Sequence, residues 1–116
     1  MATEHEHRRQ AEHNLKFLGA IDVELFPDWA ATIVFYTAVH LAEMLFKKQG
    51  GSSGSHRKRN QSLRRRYPHV WRHYQPLYAF SRLSRYWCMK VAAEHVPYLT
   101  RRLRRLQTEI DHEMRK

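Results

Sequence analysis

Residues 29–48 constrain the fold more than any other stretch. Ile33, Val34, Phe35, Ala38, Leu41, Ala42, Met44, Leu45 and Phe46, with Trp29, Ala30, Ala31 and Val39, leave little polar surface. A helix that is apolar nearly all round is a central, buried one. Its polar residues, Asp28, Thr32, Tyr36, His40, Glu43 and Lys47, recur at steps of three or four. At about 100° per residue they fit within a sector of about 120°. One polar stripe therefore runs down an otherwise buried helix, and Tyr36, His40 and Glu43 on it are candidates for a functional cleft. Beside Glu43, His40 is either a proton-transfer group, its pKa lifted by the carboxylate, or a hydrogen-bonded bundle residue.

The flanking sequence reads as helical too. Ala11, Leu15, Leu18 and Leu25 mark a first helix over 5–24, broken at Phe26-Pro27, with Asp28 placed to cap the central helix. A glycine–serine loop, Gly50 to Gly54, precedes Ser55, a good N-cap for a short helix over 56–66. Tyr67-Pro68-His69 interrupts it. Pro76 suits the first turn of a helix reaching about residue 94, with Phe80, Leu83, Trp87 and Val91 on one face. Val96-Pro97 breaks the chain again. Leu99, Leu103, Leu106, Ile110 and Met114 then form a clean stripe on a last helix over 97–115. The prediction is an all-α protein, an antiparallel up-down bundle of four main helices plus one short helix, forming one domain over 1–116.

Charge is segregated along this scaffold. The net charge is +10, yet residues 57–105 hold fourteen Lys/Arg against the single acid Glu94. Fifteen of the 21 cations are arginine, which grips phosphate bidentately and stacks on bases. His56, Arg57, Lys58 and Arg59 follow Ser55, and Arg101, Arg102, Arg104 and Arg105 fill the first half of the last helix. The helix dipole disfavours cations there, by about 0.3–1 kcal/mol each. Two readings stand for both segments: tolerated surface charge, or an anion site at a helix start. Tyr67, Trp71, Tyr74, Tyr78, Phe80, Tyr86, Trp87 and Tyr98 are interleaved with these cations. They offer base-stacking platforms, although core packing is the better account of Phe80 and Trp87.

Length and composition exclude other classes. A chain of 116 residues is too short for a multidomain enzyme. The lone Cys88 excludes a disulfide scaffold. No unbroken apolar run of about 18 residues occurs, so no membrane span is expected, and the N-terminus lacks an apolar signal core. A cytoplasmic location follows as the expectation. His5, His7 and His13, or His69 and His73, are weak ligand sets, so no metal is expected.

Three blocks resemble segments of small prokaryotic HEPN domains. They are Asp28-Trp29-Ala30 with Phe35-Tyr36-x-Ala38-x-His40-Leu41, Ser55-His56-x-x-Arg59-Asn60, and Leu77-Tyr78-x-x-Ser81-Arg82-x-x-Arg85-Tyr86. They span 28–86, about half the chain, in matching order and helical context. The resemblance implies a dimeric helical bundle that binds RNA. Many members are metal-independent endoribonucleases of toxin–antitoxin or phage-defence systems. Others are catalytically inactive modules that bind a nucleotide or an acidic protein. It also implies no cofactor, and a regulatory protein as a further partner.

The family's catalytic signature is an Arg followed a few residues later by a His. The Arg stabilises charge and the His moves protons during attack of a 2′-hydroxyl on phosphate. Arg64 and His69 have this spacing within the basic block and are the catalytic candidates. Arg8/His13 shares it and Arg66/His73 and Arg105/His112 stand seven residues apart, whereas Arg59-Asn60 meets arginine at 64 and 65. The candidate RNA contacts are His56, Arg57, Lys58, Arg59, Asn60, Arg65, Arg66, Arg82 and Arg85. A membrane-surface role for the basic last helix is the weakest reading.

Overall fold

Five α-helices, and no strand among the described residues, form the computed structural model: α1 Glu4–Ala20, α2 Pro27–Lys48, α3 His56–Arg66, α4 Pro68–Tyr86 and α5 His95–Met114. It describes residues 2–51, 54–86 and 90–116, without the Tyr86 side chain. Trp87, Cys88 and part of the glycine–serine loop lie outside these residues. The fold is a helical bundle.

The central position of α2 follows from its composition. Ala30, Ala31, Val34, Phe35, Ala38, Leu41, Ala42, Met44, Leu45 and Phe46 join one core with Ala11 of α1, Leu63 of α3, Val70, Tyr74 and Leu77 of α4, and Leu99, Leu103, Leu106 and Ile110 of α5. α2 packs against α1, α4 and α5, while α3 packs on α4. Burying these side chains contributes about 1.5–3 kcal/mol each for the larger ones. By length and composition alone α2 could cross a membrane, but 78% of its apolar window is buried inside the bundle.

Local chemistry sets the helix ends. Thr3 caps α1 in a reciprocal box, its hydroxyl accepting from the Glu6 amide at 3.1 Å while the Glu6 carboxylate accepts from the Thr3 amide at 3.3 Å. α1 stops at Ala20, short of the expected residue 24, because Asp22 folds the chain into a turn and accepts from the amides of Glu24 and Leu25. α2 opens on Pro27 after a Phe26 cap that makes no side-chain bond. Asp28, expected as the cap, lies inside the first turn, where its charge still favours the dipole. Ser55 caps α3 as expected, accepting from the Lys58 amide at 3.2 Å.

The largest difference from expectation lies in α4. It begins at Pro68 and runs through Pro76 rather than starting there. Both prolines suit a helix start, and the core decided between them. Val70, Tyr74, Leu77 and Ser81 are buried at steps of three or four, so the buried face already spans Pro76. Phe80 is half-buried against the rings of His95 and Tyr98, and Leu83 is exposed. Pro97, taken as a break, sits in the first turn of α5, where a missing N–H costs little. The expected α5 stripe is buried from Leu99 to Ile110.

Candidate nucleic-acid interface

The polar stripe of α2 opens to solvent at Asp28 and is covered toward Glu43. α1 and α3 lie over it and add their own polar groups. His7 occupies the same α1 face as Ala11, Leu15 and Leu18, and His56 and Arg59 precede the buried Leu63 on α3.

Arg59 is the hub. Its Nε and Nη2 both lie 3.1 Å from Glu43 Oε1, and both residues are buried, 8% and 7% exposed. Its Nη1 lies 2.8 Å from His56 Nδ1. A guanidinium can only donate, so His56 accepts at Nδ1 and carries its proton on Nε2. Burial holds the His56 pKa below its ordinary value, and the nearby Arg59, Arg82 and Arg85 lower it further. The Tyr74 hydroxyl is buried without a partner in hydrogen-bonding geometry, and burial pushes its pKa up to about 12 against the pull of Arg59.

The stripe continues to α1. His7 Nδ1 and His40 Nδ1 are 2.9 Å apart. Two ring nitrogens at that distance share one proton, one donating and the other accepting. Burial lowers both pKa values and outweighs the upward pull of Glu43. For His40 this reverses the lift expected from a carboxylate one turn away.

These shifts set a pH dependence. Burial also lowers His73. A histidine whose folded pKa lies below its unfolded value of about 6.5 contributes stability that is complete above that pH. The contribution is lost as pH falls from there through the folded pKa. Thermal melts should therefore show Tm level above about pH 7 and falling below about 6.5. The fall should be shallower in His40→Gln. A Tm that rises on acidification would contradict the assignment.

At the α3 N-terminus the cluster opens to solvent. The His56 ring lies 6.2 Å from Tyr78 and 5.8 Å from Phe35. Arg82 stacks over Tyr78 at 5.7 Å and Arg85 over Tyr36 at 5.1 Å, with Arg85 also donating to the Tyr36 hydroxyl. Tyr36 and Arg85 join Asp28, Trp29, Thr32 and Ser84 around a cleft of about 410 Å³. Trp29, expected in the core, is 58% exposed there. At about 100° per residue it falls within the polar sector beside Thr32 and Tyr36, whereas Ala30 and Ala31 next to it are buried. His56, Arg82 and Arg85 thus share one face with two aromatic rings, and Arg57 and Lys58 follow His56 as exposed residues of the first turn of α3.

The other sequence candidates distribute differently. Arg59, expected to touch RNA, is buried and its charge is met by Glu43. Asn60 is half-buried with its Oδ1 unpartnered. Arg64 and Arg65 are exposed. Arg66 reaches Gln49 at 3.5 Å and lies over Tyr67 at 5.6 Å, at the far end of α3. His69 bonds Glu113 of α5 at 2.9 Å. Among the described residues no bond joins Arg64 to His69. Tyr36, His40 and Glu43 do share the α2 stripe. Sequence reasoning missed His7 and the His56–Arg59 pairing. The signal was the apolar spacing that continues from each: 7, 11, 15, 18 and 56, 59, 63, 67.

Among the described residues no three His, Cys, Asp or Glu converge in a way that could hold a metal. Comparison of the chain with protein-family models, with curated proteins and with solved structures found no match.

Proposed function

We propose that this chain is a HEPN-like RNA-binding protein, an antiparallel up-down bundle acting as a homodimer in a cytoplasmic toxin or phage-defence system. The observation that carries the reading is the convergence of His56, Arg82 and Arg85 on one face beside exposed Arg57 and Lys58. Of these, Arg85 lines the Trp29–Tyr36 cleft. Cations interleaved with accessible rings suit single-stranded RNA, whose phosphates and unstacked bases are separately reachable.

A second reading is metal-independent cleavage, and His56 is the group that favours it. Neutral, with Nε2–H turned from Arg59, it can donate to a phosphate oxygen. To act as a base it must first free Nδ1 from Arg59, so this arrangement favours binding over scission. The alternative of an inactive module binding a nucleotide or an acidic protein follows from the same constraint.

Incubating single-stranded RNA with the protein and a chelator tests both. Binding should persist in chelator. Cleavage by this centre should vanish in His56→Ala and survive in His69→Ala. Loss in His69→Ala alone would instead favour the Arg64–His69 pair. Intact but bound RNA in every lane would leave the binding module, and unbound RNA would end the proposal.

A further inference from the structure

The face between α4 and α5 carries a second basic cluster built around a buried histidine. His73 is 2% exposed. Arg102 Nη1 lies 3.0 Å from its Nδ1, and Arg72 Nε lies 3.3 Å from its Nε2. Both guanidiniums can only donate, and a neutral imidazole can accept at one nitrogen only. In either tautomer one ring N–H is left facing an arginine N–H, so the cluster has one donor too many and lacks an acceptor. Arg105 adds a third positive charge close to His73. Glu109 is the carboxylate whose field reaches the ring, yet no carboxylate lies within ion-pairing distance of Arg72, Arg102 or Arg105 among the described residues.

The surroundings are shaped as well as charged. Arg101, Arg102 and Arg105 line a cleft of about 210 Å³ with Tyr98, whose ring lies 5.5 Å beneath the Arg102 guanidinium. That volume is below the ~300 Å³ of a site for a drug-sized ligand. It suits a small, multivalent anionic head. A carboxylate offers two acceptor oxygens and a terminal phosphate three, and guanidinium pairs bind phosphate bidentately.

We propose that Arg101, Arg102 and Arg105, beside the Tyr98 ring and backed by the buried His73 and its neighbour Arg72, form a binding site for a phosphoryl group, either free phosphate or the terminal phosphate of a nucleic acid. The bound anion supplies the missing acceptor, taking hydrogen bonds from the arginines; His73, buried behind the cleft, is coupled to it through Arg102. The site lies apart from the His56 face and does not depend on the function proposed for that face.

The test is a titration of the full chain with inorganic phosphate, followed by the His73 ring resonances, against chloride at equal ionic strength. A saturable shift with phosphate and none with chloride is expected. Arg105→Gln, at an exposed position, should weaken binding at least about tenfold, the loss of one charge-assisted contact. Arg102→Gln should abolish it. Equal responses to phosphate and chloride, or an undiminished response in folded Arg105→Gln, would overturn the site. RNA oligomers with and without a 5′-phosphate separate the two sources. Tighter binding of the phosphorylated oligomer, lost in Arg105→Gln, identifies a strand end; a phosphate response without that preference identifies free phosphate. RNA binding that fails in both oligomers while the phosphate response persists leaves this site intact and removes the RNA reading alone.

Discussion

Arg59→Ala should destabilise the protein by about 3–5 kcal/mol, the cost of leaving a buried charge without its partner. Glu43 is the group that loses this cation: it is 7% exposed, and one of its oxygens takes both the Nε and Nη2 contacts of Arg59. His56 loses its donor at the same time, and Tyr74 loses the cation near its buried hydroxyl. Replacing both partners should be far milder. Glu43→Leu with Arg59→Met removes two desolvated charges and refills much of the volume, a change that is often neutral or stabilising. Urea unfolding reads the difference directly, as a large drop in midpoint for the single variant and partial or full recovery in the double. A single variant within about 0.5 kcal/mol of wild type would mean the pair is no more than a surface contact.

The second large effect concerns the proposed RNA face. Arg57→Gln, Lys58→Gln and Arg82→Gln together should weaken single-stranded RNA binding by about 100-fold at 0.1 M salt. Each phosphate contact on a single strand contributes a log–log slope of about 0.7, so three removed contacts account for roughly two decades there. The three side chains are exposed, so the fold should survive. Trp29→Ala should weaken binding separately, by about 1–3 kcal/mol if a base stacks on the ring. The same triple change placed on Arg64, Arg65 and Arg66, toward the other end of α3, should have a smaller effect. Equal losses from both triples would point to diffuse attraction without a defined path for the strand.

The buried elements were the most legible in sequence. The apolar run of α2 and the leucine stripe of α5 have periods with one packing solution, and both are buried where the spacing put them except at exposed Trp29 and half-buried Val39 and Met114. Prolines were less informative. A proline suits the first turn of a helix wherever it stands, so Pro68 and Pro76 were equivalent until core burial of Val70 and Tyr74 separated them. At the site, the α2 stripe was readable because a polar line on an apolar helix is conspicuous. The partners of that stripe were not, since helical spacing says which residues share a face and not which helix lies opposite. His7 lies thirty-three residues from His40, and Arg59 sixteen from Glu43, separations that only tertiary packing closes. Arg59 looked like one more surface cation because charge counting carries no information on burial.

Salt dependence of RNA binding tests the central claim most directly. Log affinity for a single-stranded oligomer, measured against log salt, should fall linearly and steeply in the wild type. In the Arg57, Lys58 and Arg82 triple variant the slope should be smaller by about 2. A wild-type slope near zero, or identical slopes in the two proteins, would contradict the claim that phosphates settle on this face.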